Sequence, residues 1–179
     1  IVFASISLQV GTVGIWAFSE RIGASLGVSI QSMGEILAGS TLLSILGGVV
    51  AAVIARPRRE RAWAMLGVLI FGGATAVVAV SPNSTIFVWA MYAQAFGFVF
   101  TTPFIVAVAI SQDRSGGLAA AATGWSTLIG AAAPTLAGWM VGAGHYSNLA
   151  ILALTATLLA LGALALTKRN PVSTPVRAG

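Results

Sequence analysis

The chain has 179 residues, of which 58% are hydrophobic and only 7% are charged, and its mean hydropathy is +0.96. Soluble domains carry about 25% charged residues, so this composition excludes an ordinary soluble protein and indicates a membrane protein. The net charge of +5 comes from basic residues spread over loops, which do not form the continuous patch that nucleic-acid binding requires. The absence of cysteine excludes disulfides, thiolate metal sites and cysteine nucleophiles.

Six apolar segments approach the roughly 20 residues that a helix needs to cross a bilayer, so we predict an all-α polytopic membrane protein. The six transmembrane helices are predicted at about residues 1–18, 33–55, 62–80, 86–110, 118–141 and 149–167. Together they form one bundle over residues 1–169, and the polar tail 170–179 is predicted to be disordered and cytoplasmic. Because Ile1 already lies inside an apolar run, we expect the chain to be a piece of a longer protein.

Basic residues lie in alternate gaps between these segments, and short loops rich in Lys and Arg stay in the cytoplasm. Eight of the nine follow the second, fourth or sixth segment: Arg56, Arg58, Arg59, Arg61, Arg114, Lys168, Arg169 and Arg177. Only Arg21 lies on the other side. We therefore predict an integral protein of the plasma membrane (the inner membrane of a bacterium) with both chain ends in the cytoplasm.

Polar residues recur at steps of three and four in the first, fourth and fifth segments, which places them on one face of each helix. In the first segment this face carries Ser5, Gln9, Thr12, Trp16, Ser19 and Glu20, and the fourth segment repeats the pattern more weakly, with Gln94 and Thr101 on the same face as Phe98. Such a face must meet protein or water, because unsatisfied polar groups in hydrocarbon are costly. The fifth-segment stripe of Thr, Gly and Pro indicates close helix packing.

The order of polar and apolar segments indicates an internal repeat. The first and fourth segments are the most polar, while the third and sixth offer only Thr75, Thr155 and Thr157. We therefore predict two successive units of three helices. Because each unit has an odd number of spans, the second lies inverted relative to the first.

Three stretches resemble parts of one transporter family. Residues 15–23, IWAFSERIG, resemble the outer end of helix seven of major facilitator superfamily transporters. The loop 113–116 resembles their link between helices ten and eleven, and residues 124–138, with Pro134, are similar to the packing face of helix eleven. The resemblance to the carboxy-terminal half, helices seven to twelve, covers essentially the whole chain. Residues 55–59 keep the basic residues of the family's loop signature but lack its Asp and Gly, so no gating salt bridge is carried over.

The resemblance implies that helices seven and ten line a central cavity, which makes Gln9, Trp16, Gln94 and Thr101 the candidate substrate-binding residues. An amide both donates and accepts hydrogen bonds, and an indole adds a flat apolar surface with one donor. Alternatively, the two Gln side chains bond to neighbouring helices and Trp16 belongs to the interfacial aromatic belt.

Glu20 and Arg21 are the candidates for gating or coupling, because they lie where the first segment reaches the outer surface. Burial of Glu20 in an outer vestibule would raise its pKa and suit it to proton coupling. The alternative is that both residues belong to a solvated outer loop.

The predicted function is secondary active transport of a small organic solute by alternating access, with this chain as the carboxy-terminal half of a twelve-helix carrier. The expected partners are the substrate, membrane lipid and the missing amino-terminal six-helix half, and we expect no nucleic acid, cofactor or metal. We predict no enzyme activity, because Ser126 and His145 differ in depth, the sole Asp lies in a loop, and no phosphate-binding glycine loop occurs. The alternative is a self-contained six-helix channel or a membrane assembly subunit.

Overall fold

The computed structural model describes residues 1–56, 59–113, 115–142 and 145–167, and for Gly11 and Thr12 it describes the helical backbone alone. Within these ranges the chain forms helices and no strand, which confirms the all-α prediction. The helices are α1 (Val2–Trp16), α2 (Ser19–Ser25), α3 (Ile30–Ile54), α4 (Glu60–Ala79), α5 (Ser84–Gln112), α6 (Gly117–Val141) and α7 (Ser147–Leu166). The predicted tail and five basic residues used for the topology lie outside the described residues: Arg58, Arg114, Lys168, Arg169 and Arg177.

Four helices, α3, α4, α5 and α7, are long and apolar enough to cross a membrane. A fifth span results if α1 and α2, which are bent by 44° relative to each other, are taken together. Helix α6 has 25 residues, but Gly, Thr, Ser, Trp and Pro interrupt its run of Ala and Leu and lower its hydropathy. Four or five apolar helices of this length are compatible with a membrane protein, and the sixth span stays a prediction.

The segment expected to be an outer loop contains the short helix α2. The helix ends at Ser25, and the turn that follows contains Gly27, whose φ of +79° lies in the left-handed region that glycine adopts without strain. The N–H of Val28 then donates to the carbonyl of Gly23 at 2.9 Å. Glu20 and Arg21 are therefore helical residues, with exposed side chains.

Side-chain caps mark the start of two of the long helices, α3 and α5. Ser29 accepts a hydrogen bond from the N–H of Ser32 at 3.1 Å before α3, and Asn83 accepts one from the N–H of Ile86 at 2.9 Å before α5. These bonds satisfy N–H groups that have no carbonyl partner in the first turn. Helix α5 continues through Pro103, which has no N–H to donate within the helix.

The helices pack as two groups of three, which α4 and α7 connect. Helix α5 packs against α3 and α4, α1 packs against α6 and α7, and α4 joins the groups by packing against α7. Glycines permit the close approach: a Cβ added at Gly97 on α5 would lie 2.9 Å from the backbone nitrogen of Phe71 on α4. Two buried clusters of apolar side chains result, one around Ile15, Phe87 and Leu149 and one around Val68, Phe100 and Leu164.

Candidate functional site

A cleft of about 460 Å³ lies between α1, α3 and α5, and we call it the α3 cleft. It brings together three of the four predicted substrate-binding residues, Gln9 and Trp16 from α1 and Gln94 from α5. The other lining residues are Val13, Leu37, Ser40, Thr41, Ser44, Phe71, Met91, Ala95, Phe98 and Val99. All the side chains that line it in the described part of the chain are uncharged.

The most buried part of the α3 cleft carries two polar atoms without partners. Gln94 is 4% exposed and Ser40 is 8% exposed, and they lie among deeply buried Phe71 and Met91. Within the described residues, neither Nε2 of Gln94 nor Oγ of Ser40 has a hydrogen-bond partner. An unpaired buried polar group costs about 1–3 kcal/mol, so native structures rarely keep one without a reason. Both residues line the cleft, and neither atom has its hydrogen bond supplied by the described part of the protein.

The rim of the α3 cleft is aromatic, with Trp16 58% exposed and Phe98 38% exposed. Two further hydroxyls lie on α3. Oγ1 of Thr41 donates to the carbonyl of Leu37 at 3.1 Å, and Oγ of Ser44 donates to the carbonyl of Thr41 at 2.7 Å. Because their hydrogens are used within the helix, these hydroxyls offer a ligand only lone pairs.

A second cleft of about 240 Å³ lies between α1, α5 and α6, and we call it the α6 cleft. It follows the α3 cleft along the same helices, since α5 lines the first with residues 91–99 and the second with residues 98–109. Gln9 and Phe98 line both clefts. These two residues therefore lie where the clefts meet.

The position of Gln9 depends on a glycine of α6. A Cβ added at Gly130 would lie 2.8 Å from Cγ of Gln9 and 3.2 Å from its Nε2. The absence of a side chain at this point leaves room for the amide. Gly130 was assigned to helix packing from the sequence, and the structure adds that the partner it accommodates is a predicted substrate-binding residue.

Thr101 lies away from both clefts. Its side chain is 2% exposed, and its hydroxyl donates to the carbonyl of Gly97 at 2.5 Å. It packs against Gly67 of α4, where an added Cβ would overlap with the Thr101 hydroxyl. The structure therefore separates Thr101 from Gln9, Trp16 and Gln94 and gives it a place in helix packing.

Glu20 and Arg21 do not line either cleft. Both are exposed on α2, and the Arg21 guanidinium lies over the ring of Phe18, with Cζ 5.7 Å from the ring centre. A cation in this position is attracted to the face of the ring. The vestibule predicted around Glu20 would have to be completed by residues outside this chain.

The loop between α5 and α6 is organised by Asp113. Its carboxylate accepts hydrogen bonds from the Ser115 hydroxyl at 2.6 Å, the Ser115 N–H at 2.9 Å and the Leu118 N–H at 2.9 Å. Led by the Ser115 hydroxyl, these bonds lower the pKa of Asp113 from its ordinary value of 3.8. Asp113 thus caps the start of α6. The residue immediately before this helix is Gly116, whose φ is +78°.

Sequence reasoning missed the hydroxyl residues that α3 contributes to its cleft: Ser40, Thr41 and Ser44. The signal was present, because they follow one another at steps of one and three in an otherwise apolar helix. Serine and threonine in a membrane helix usually bond to their own backbone, so their presence alone does not indicate a cavity. Only the packing of α3 on α5 brings them beside Gln94.

Searches for a metal site and for related proteins both gave negative results. Within the described residues, no three His, Asp or Glu side chains are grouped so that they could hold a metal ion. No family model, curated protein or solved structure matches the chain.

Proposed function

We propose that the chain is the carboxy-terminal six-helix half of a secondary transporter of the major facilitator type, which moves a small organic solute by alternating access. The observation that carries this proposal is the arrangement of the two clefts. They follow each other along α1 and α5, each has several polar side chains in a mostly apolar lining, and they meet at Gln9 and Phe98. A carrier needs such a route, with a site reachable from each side in turn.

The lengths of the helices support an internal repeat. Helix α6 begins and ends 87 residues after α3, and α7 begins and ends 87 residues after α4. With the same offset, α1 and α2 together correspond to the later part of α5. Trp16, the last residue of α1 before the bend, then corresponds to Pro103 inside α5. Equal lengths at constant spacing are typical of a duplicated unit of three helices.

Helix packing supports the same repeat. In this repeat α1 corresponds to α5, α3 to α6, and α4 to α7. When each helix is replaced by its counterpart, the contact of α1 with α6 becomes the contact of α5 with α3, and both contacts are extensive. The same exchange converts α1 against α7 into α5 against α4, and it leaves α4 against α7 unchanged. It also converts the α3 cleft, between α1, α3 and α5, into the α6 cleft, between α5, α6 and α1. Two clefts related in this way would open to opposite sides of the membrane.

The exposed surface of α3 supports a missing partner. Its large apolar side chains Leu42, Ile45, Leu46, Val49 and Val53 are exposed on one face, beside the α3 cleft. The family resemblance places this helix and α6 against the other half of the carrier, while α4 and α7 would face lipid. The amino-terminal half would then cover the open side of both clefts.

The proposal is tested by flux through the full-length protein, obtained from the complete coding sequence and reconstituted in proteoliposomes with a panel of labelled small solutes. Gln9→Ala and Gln94→Ala should each change the apparent affinity or the maximal rate of a transported solute. The matched control is Thr155→Ala, since Thr155 is exposed on α7 and lines neither cleft.

The outcomes separate the alternatives. Saturable flux with counterflow supports a carrier, whereas flux that rises linearly with concentration and shows no counterflow supports the channel alternative. Normal affinity and rate in both glutamine variants would refute the role of the clefts. A complete coding sequence without six further apolar segments would refute the twelve-helix carrier.

A further inference from the structure

The lining of the α3 cleft restricts the chemistry of its ligand, an inference that rests on the proposed function because it takes this cleft as the substrate site. We propose that the cleft binds a neutral, planar, largely apolar molecule that directs a carbonyl or a comparable hydrogen-bond acceptor toward Gln94 and Ser40. The ligand class follows from charge, from hydrogen-bond donors and acceptors, and from the position of the aromatic residues.

The charge of the cleft disfavours ions. None of its described lining residues is charged, and the Phe71 and Met91 side chains at its base are almost fully buried. Moving an ion into such surroundings costs several kcal/mol unless an opposite charge accompanies it. A neutral ligand avoids this cost.

The distribution of donors and acceptors sets the ligand's orientation. At the base, the Gln94 amide nitrogen carries only donor hydrogens and the Ser40 hydroxyl can donate, and both atoms lack partners in the described structure. Near the rim, the hydroxyls of Thr41 and Ser44 have already donated their hydrogens to the helix backbone. The two unpartnered groups at the base can therefore donate to a ligand acceptor, whereas the Thr41 and Ser44 hydroxyls near the rim can only accept.

The aromatic residues set the shape. Trp16 on α1 and Phe98 on α5 are the exposed rings of the cleft, on two of the three helices that form it. Flat apolar ligands gain contact area with such rings at little entropic cost. The cleft volume of about 460 Å³ accommodates a two-ring aromatic compound with a short substituent.

Four naphthalene compounds of similar size test this inference: 2-acetylnaphthalene, 2-ethylnaphthalene, 2-naphthoate and 2-naphthylmethylammonium. Binding to purified full-length protein in detergent is measured by equilibrium dialysis, with protein-free micelles as the blank for partitioning. The ketone should bind roughly tenfold more tightly than the hydrocarbon, since one or two hydrogen bonds distinguish them. The anion and the cation should bind more weakly than the ketone.

The variants Gln94→Leu and Ser40→Ala should reduce the preference for the ketone over the hydrocarbon, and Thr155→Ala should leave it unchanged. If Gln94→Leu fails to fold, the smaller change Ser40→Ala still decides the matter. Equal binding of ketone and hydrocarbon by the wild type would overturn the inference, and so would tightest binding of the anion or the cation.

The binding assay does not require transport, so a failure of the ligand class can be distinguished from a failure of the proposed transport. A ketone preference in a protein that catalyses no flux would keep the ligand class and refute the carrier. Counterflow of a charged compound without any ketone preference would refute the ligand class and keep the carrier.

Discussion

The amide side chain of Gln9 lies against Gly130 so closely that a Cβ at residue 130 would be 2.8 Å from Cγ of Gln9. This contact joins α1 to α6 at the level where the two clefts meet. A residue without a side chain on one helix thus decides where a polar side chain on another helix can lie.

Gly130→Ala should displace Gln9 and alter transport more than stability. The added methyl group meets the side chain of Gln9, which can rotate away, so the folded state loses little while the junction of the clefts changes shape. The apparent affinity for a transported solute, measured by proteoliposome flux, should change severalfold. The control is Gly124→Ala on the same helix, where an added Cβ has no neighbour within 4 Å. Equal kinetics in the two variants would contradict the role assigned to this contact.

Gly97→Ala should destabilise the bundle, because here the added methyl group meets backbone. A Cβ at Gly97 would lie 2.9 Å from the nitrogen and 3.0 Å from Cα of Phe71, neither of which can rotate away. Overpacking of this kind costs about 1–3 kcal/mol. The apparent melting temperature in detergent should fall by several degrees. Gly73→Ala, at a position open to 4 Å, should not lower it, and an equal fall in both variants would contradict the account.

Arg61→Ala should loosen the end of the bundle where α4 begins and α7 ends. The Arg61 guanidinium donates to the carbonyl of Thr167 at 3.1 Å and also to that of Ala165, which satisfies groups left free at a helix C-terminus. Losing these bonds should cost about 1–2 kcal/mol of stability. Thermal unfolding in detergent checks this, with Arg61→Lys intermediate. Arg59→Ala, an exposed residue two positions earlier, is the control and should have a smaller effect.

Asp113→Asn should weaken the cap of α6 in a pH-dependent manner. The pKa of Asp113 is lowered in the folded protein, so its contribution is complete well above the ordinary value of 3.8 and is lost as pH falls through the lowered value. The variant should melt below the wild type at pH 7, and the difference should shrink as pH is lowered past 3.8. Glu35→Gln, which changes an exposed carboxylate on α3, controls for charge alone. A difference in melting temperature between wild type and variant that grows as the pH falls would contradict this role of Asp113.

Much of the helical framework follows from hydropathy, because a bilayer imposes length and apolarity on every span. The helices begin and end within a few residues of the apolar segments in the sequence, both where a side-chain cap is present, as at Asn83 before α5, and where the N-cap residue supplies none, as at Gly116 before α6. Helix α2 escaped prediction because its seven residues are interrupted by polar and glycine residues, and only the turn at Gly27 defines its end. The inverted order of the units stays a proposal drawn from helix lengths and packing.

The candidate site could be predicted in part, because polar residues are rare in apolar helices. Gln9 and Gln94 stand out because an amide in an apolar helix needs a partner or a cavity. Thr101 lies seven residues after Gln94, on nearly the same face of α5, yet that face meets the α3 cleft at one level and Gly67 of α4 at the other. Periodicity gives the face of a helix but not what covers it at each level, and the contribution of Ser40 was missed for the same reason.

The most direct measurement of the central claim is thiol labelling of the two clefts in the full-length protein from each side of the membrane. The chain contains no cysteine, so Thr41→Cys in the α3 cleft and Thr123→Cys in the α6 cleft can each be studied alone once any cysteines elsewhere in the full-length protein are replaced. With a membrane-impermeant reagent, we predict that residue 41 is labelled preferentially from outside the cell and residue 123 preferentially from the cytoplasm. Labelling of both positions predominantly from the same side would contradict clefts that open to opposite faces, and with them the proposed carrier.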